Sequence, residues 1–145
     1  MKSIEQVIQE VAEEHFPEYS YVFETWQDAD TQLERLSFPA IVSVVPVSGS
    51  TTLKNGKVYD TESVAIAFLD AATRDADGKD NAEVYNRMKM AGAKFIRALN
   101  ATKQFESIDN APYQTICEQM ATIVTGVMYT LTIKQEIGEC DYGKL

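Results

Sequence analysis

Three carboxylates lie within six residues in the segment Asp75-Ala-Asp77-Gly78-Lys-Asp80, and closely spaced carboxylates around a glycine are hard oxygen ligands of the kind a divalent cation takes. The full calcium-loop spacing fails. With Gly78 at the sixth loop position, Thr73 falls at the first and Val84 at the twelfth, so an end ligand and the bidentate glutamate are both missing. The segment reads as an acidic loop that breaks the chain and caps a helix, with Asp75, Asp77 and Asp80 only weak metal candidates. His15 is the one histidine, so any Ser-His-Asp or Cys-His arrangement has to use it; its place near a helix C-terminus gives it a favourable dipole interaction instead. Cys117 falls in a strand pattern as a small surface residue, with Thr115 and Gln119 on its side and Ile116 on the other. Cys117 and Cys140 with a lone histidine cannot complete a tetrahedral zinc site, neither lies in a C-x-x-C pair, and no disulfide is indicated. Paired carboxylates could carry acid-base chemistry, but among 22 acidic residues any two can be nominated. Ser48-Gly49-Ser50 lacks the glycine spacing and lysine of a phosphate loop, and the sequon at Asn100 is read as coincidence. Residue chemistry therefore names no reaction; the expectation is a protein that is not an enzyme and needs no cofactor.

The elements that position these residues follow from periodicity. Residues 3–15 carry Ile4, Val7, Ile8, Val11 and Ala12 on one helical stripe, with Ser3 and Gln6 spaced as a capping box and Pro17 closing the helix. The aromatic and β-branched run over residues 19–27 is a strand, followed by a polar connector with room for one helical turn at Leu33 and Leu36. Asn55-Gly56 between two apolar runs is a hairpin signal, because both positions tolerate positive φ. A two-residue loop there pairs Val47 with Val64 and Val45 with Ile66 on one face, and Val44 with Ala67 and Val42 with Leu69 on the other. The same ladder pairs residues 48–54 with 57–63, which are mostly polar, so the hairpin is expected to leave the body as an arm of about 20 Å. Pro46 lacks a ladder donor and marks an edge or a bulge where the arm bends away. A long helix is expected over residues 81–101, with Asp80 and Glu83 as a capping pair and Val84, Met88, Ala91, Phe95 and Leu99 as its stripe. Strands are expected over residues 104–108, 113–120 and 124–137. In the last, Val127, Tyr129, Leu131, Ile133 and Gln135 face one way and Met128, Thr130, Thr132 and Lys134 the other; Gly126 marks a bulge or a close approach. The tail from residue 138 to 145 is expected to be loosely held.

The fold class is α+β: a mixed, mainly antiparallel sheet with a long protruding hairpin, packed against an N-terminal helix and a long central helix. The 145 residues, 45% hydrophobic and 24% charged, suit one domain that buries about two-thirds of its unfolded surface. A net charge of −9 repels phosphate backbones, so specific nucleic-acid binding is disfavoured. No window approaches the roughly 18 apolar residues of a membrane span and the start lacks a secretory signal, so an intracellular or particle-packaged chain is expected. The charge is unevenly placed. Residues 1–34 hold nine acids against the single base Lys2, whereas residues 85–103 hold Arg87, Lys89, Lys94, Arg97 and Lys103 with no acid. Two solvated faces attracting each other within one subunit is the plain reading; the sharper one sets the acidic face of one copy against the basic helix of the next, a head-to-tail contact that closes a ring.

The opening amphipathic helix, the aromatic strand ending in Trp26, the segment Phe38-Pro39-Ala40-Ile41-Val42 leading into the hairpin, the helix from Val84 to Leu99 and the closing alternation through Tyr113, Thr125-Gly126-Val127 and Ile137 together resemble the tail-terminator and minor-tail proteins of long-tailed bacteriophages and prophages. The likeness is one of element order over most of the chain, without an invariant motif. It implies a structural virion protein, commonly six copies in a ring, that caps the tail tube and joins it to the neck, with the tube protein and a neck or connector protein as partners. Subunit and tube contacts would then fall on the arm (Thr52, Asn55, Gly56, Tyr59), on the acidic helix (Glu10, Glu13, Glu14) and on the basic helix (Arg87, Lys94, Arg97). The alternative is a small intracellular ligand-binding α+β domain using apolar space between helix and sheet. A hydrolase using Asp75, Asp77 and a metal ion is a third reading, which requires calcium, magnesium or manganese to raise the melting temperature.

Overall fold

The computed structural model describes residues 2–25, 28–29, 37–71, 78–119 and 123–139. Its elements run α1 (Ile4–His15), β1 (Ser20–Thr25), β2 (Ala40–Lys54), β3 (Lys57–Ala71), α2 (Gly78–Ala101), β4 (Tyr113–Gln119) and β5 (Ile123–Glu139). The five strands form one sheet in the order β1-β2-β3-β5-β4, antiparallel except for the β1–β2 pair. The fold is α+β, as the pattern of elements requires, and no helix among the described residues is long and apolar enough to cross a membrane.

α1 starts where its capping box puts it: the Gln6 amide donates to Ser3 Oγ at 3.2 Å and the Ser3 amide to Gln6 Oε1 at 3.0 Å. Its stripe of Ile4, Val7, Ile8, Val11 and Ala12 is buried as the spacing predicts. α2 ends at Ala101 as expected but begins at Gly78, so Asp80 lies within the first turn and not at the cap. Both helices pack on one face of the sheet, where Phe16, Phe68, Phe95, Met88, Leu99, Leu131 and Ile133 build the main core. Phe95 is its hub, with its ring centroid 5.9 Å from that of Phe16 and 5.6 Å from that of Phe68. The other face is not wholly polar, because Val22, Ala40, Val42, Ala67, Leu69, Ile116 and Val124 form a second cluster there with Ala29 of a helical turn at residues 28–29. Leu33 and Leu36 lie outside the described residues.

The hairpin turn is as read: Asn55 and Gly56 have φ of 53° and 76°, and the outer ladder pairs Ser48 with Ser63 through Lys54 with Lys57. The inner ladder corrects the expected register. Val42 faces Ala67 and Val44 faces Ala65, two residues off, with the shift falling between Val44 and Ser48 around Pro46. A two-residue shift preserves the side-chain parity, so the two faces stay as assigned even though the partners change. The described β1 pairing ends with Thr25 opposite Val45, so among the described residues Pro46 is the first β2 position without a strand on that side.

The hairpin is not a two-stranded arm. β5 pairs with β3 from Ala71–Val124 out to Lys57–Glu139, which makes the outer part a three-stranded ribbon and brings Gly138 and Glu139 into the sheet; only residues 140–145 of the expected tail remain, outside the described residues. The ribbon is partly flanked by the helix layer, since Gln135 Nε2 donates to the Lys2 carbonyl at 3.1 Å. The free tip is therefore residues 52–59 with 136–139, about 10–15 Å at 3.3 Å per residue, shorter than expected. Residues 104–108 are not a strand. They follow the outer edge of β5 with one ladder bond, Glu106 N–H to the Lys134 carbonyl at 2.9 Å, because Asn100 holds both backbone groups of Ile108 at 2.8 and 3.1 Å and ties the segment to the end of α2. Gly126 is a close approach: a Cβ there would meet the Phe68 carbonyl oxygen at 1.9 Å.

Candidate functional site

The acid-base candidates are not brought together among the described residues. Asp75 and Asp77 lie outside the described residues, as does the Asp80 side chain, and among the described residues no group of three or more His, Cys, Asp or Glu side chains could hold a metal ion. His15 is exposed in the last turn of α1. Cys117 is exposed on β4 beside the start of α2, where Asn81 Nδ2 donates to its sulfur at 3.5 Å and Thr125 Oγ1 donates to Asn81 Oδ1 at 3.2 Å. Asn100 is a structural clamp, as described.

One carboxylate cluster does form, and it was invisible in the sequence. Glu62 on β3 faces α1, and its Oε2 is buried without a hydrogen-bond partner. Burial first, then the Glu5 carboxyl of α1, then Asp60, push its pKa up to about 8. Two carboxylates have no proton between them to share, whereas a proton on Glu62 lets one oxygen donate to the other, so the missing partner and the raised value describe one situation. Glu62 and Asp60 line an open cleft of about 320 Å³ with residues 47–51 at the root of the arm. The walls are mostly serine, threonine and acid, and no histidine, cysteine or cation is among them.

The interface candidates lie on three exposed surfaces. On α1, Glu10, Glu13 and Glu14 point outward; Glu10 binds Lys2 at 2.7 Å and Glu13 accepts from Gln9 at 3.0 Å. On α2, Arg87, Met90, Lys94 and Arg97 make an exposed stripe at spacings of three and four; Arg87 holds Asp70 at 2.6 Å and the Lys94 ammonium lies 5.1 Å from the Phe16 ring centroid. The two helices are neighbours, yet no ion pair joins them among the described residues. Their opposite charges are thus not consumed against each other. On the arm, Thr52 pairs with Tyr59, whose ring lies 4.9 Å from the Lys134 ammonium. Beyond them the tip exposes Leu53 at 65% and Ile137 at 43%, flanked by Lys54 and by Lys57, which lies 3.7 Å from Glu136. The composition of the segment Leu53-Lys-Asn-Gly-Lys57 carried the signal for this tip; the exposure of Ile137, the extra residue opposite the step between Val58 and Tyr59, could be found only from the pairing.

No family model matches the chain, and no curated protein matches it in sequence.

Proposed function

We propose that this chain is a structural virion protein of the phage tail-terminator kind, non-enzymatic, whose copies close into a ring, six in the family it resembles, that caps the tail tube and joins it to the neck. On this reading it works in the virion tail after assembly in the host cytoplasm. The observation that carries the proposal is the stiffened arm. Among the described residues its outer β2 edge has no partner strand beyond Val45, and its tip exposes leucine, which a neighbouring subunit can cover. The separate acidic and basic helix faces support a head-to-tail contact of the kind that closes rings. The net charge of −9 suits a lumen through which DNA slides without sticking.

The binding-domain reading draws less support, because the centre of the space between α2 and the sheet is filled by Phe68, Phe95, Met88 and Leu99, and the cleft of about 230 Å³ beside it, at Ala93, Ile96, Ile108 and Tyr129, is open to solvent. The test is absolute mass by light scattering on a sizing column, at several concentrations and at low and high salt. A closed species near six subunits that loosens in salt is expected. A strict monomer in isolation and with a tube protein would remove the reading.

A further inference from the structure

Between α1 and the chain leaving α2 runs a groove of about 210 Å³, with the nearly covered Val7 and Val11 as its floor, Glu10 and Glu14 beside Thr102 and Gln104 along it, and Lys2 and His15 also in its lining. Lys2 holds Glu10 at 2.7 Å, which leaves Glu14 as the acid without an ion pair among the described residues. Floor and Glu14 are the chemical complement of the arm tip, where an exposed leucine stands next to Lys54 and near Lys57. α1 as a whole carries four glutamates and no lysine or arginine, and the five residues from Leu53 to Lys57 carry two lysines and no acid. A subunit cannot make this contact with itself. α1 runs from Glu5 beside Glu62 to Phe16 beside Phe95, away from the tip, and β5 stays paired with β3 as far as Lys57, which keeps the ribbon from folding back onto Val7 and Val11.

We infer that the arm tip of one copy docks in the α1 groove of the next, Leu53 over Val7 and Val11, with Lys54 against Glu14. The contact is heterologous, with tip and groove on different parts of the surface, so successive copies add in one direction and close when the rotation allows. It rests on the ring reading for its geometry, and it changes which acid–base pair is used: the acidic helix meets the arm, leaving the α2 stripe for another partner. Lys54 contributes specificity and rate of encounter, and Leu53 contributes the burial.

The test uses the full chain with Cys117→Ser and Cys140→Ser as background. A chain bearing Leu53→Cys is mixed with one bearing Glu14→Cys under mild oxidation; both positions are exposed, so neither change touches the core. A mixed disulfide in excess over both homodimers is the expected result, and homodimers equal to or above it overturn the proposal. In the native background Lys54→Glu and Glu14→Lys should each lose the salt-sensitive assembly, and the two together in one chain should regain it; no regain overturns the pairing. The two readings fail differently. A closed ring without the mixed disulfide removes the docking contact and leaves the ring, whereas a mixed disulfide in a chain that never exceeds a pair removes the ring and leaves the contact.

Discussion

The inner and outer halves of the β2–β3 hairpin share one turn and one pleat but live under different constraints. Inside Val45, β2 lies between β1 and β3, and Ile41, Val42, Ile66 and Phe68 are buried between the helix layer on one face and the second cluster on the other. Outside Pro46 the same strand has one neighbour among the described residues, and residues 48–54 are exposed, chiefly serine, threonine and glycine. The inner half is determined by burial, so its register and faces are over-specified. The outer half is held by the turn and by β5, and its side chains are free for something outside the subunit. Substitutions should therefore separate the two halves: inner changes register in folding stability and outer changes in association.

The largest effect is expected at Phe95, the fully buried hub between Phe16 and Phe68. Phe95→Ala should cost about 3–5 kcal/mol, on the order of 10 °C in melting temperature. A loss below about 1 kcal/mol by denaturant titration would mean that the helix layer is not the stabilising core.

How much of this was legible in the sequence follows the range of the interaction. Ser3 with Gln6, the stripe of α1, the Asn55-Gly56 turn and the alternation of β5 are local patterns, and each formed where its spacing put it. The parallel β1–β2 pair, the third strand of the ribbon and the meeting of Glu5 with Glu62 join residues far apart in the chain, and no local spacing encodes them. The inner register was misassigned because a two-residue shift keeps every face intact, so hydrophobic alternation cannot detect it; Pro46 marked the place but not the size of the slip. Residues 104–108 alternated like a strand, and what overrode them was the side chain of Asn100, whose sequence context suggested only a sequon.

A smaller effect is expected where the halves share a turn. Gly56 has φ of 76°, which an L side chain adopts at a cost of about 1–2 kcal/mol, and nothing lies within 4 Å of where its Cβ would sit. Gly56→Ala should thus destabilise by that backbone term alone, about 3 °C by calorimetry. An unchanged melting temperature would show that the tip opens without unfolding the inner half.

At the boundary between the halves, the carboxyl of Glu62 should make stability fall as pH rises. Its pKa is raised in the folded state, so the native chain holds a proton that the unfolded chain releases, and the favourable contribution is complete below about 4.5 and lost as pH climbs through about 8. The groups facing it are Glu5 from α1 and Asp60 on its own strand; its β5 partner Ile133 and β2 partner Gly49 carry no charge. Glu62→Gln keeps the shape and removes the titration. The variant should melt on the order of 2 °C above the native chain at pH 8.5 and lose that advantage at pH 5. A parallel pair of pH profiles would show that the two carboxyls do not share a proton.

The smallest stability effect should accompany the largest effect on association. Leu53 is 65% exposed and makes no contribution to either cluster, so Leu53→Ala should change unfolding free energy by no more than about 0.5 kcal/mol. If the tip seats in a neighbour's groove, the same truncation removes the apolar part of every contact around the ring and should lower the mass at a given concentration. The sign of the paired result decides how the outer half is understood. A stable monomeric variant means that residues 48–58 were shaped by the neighbour. An unchanged assembly together with unchanged stability means that the tip is solvated in the ring and that the α1 and α2 faces carry the contact.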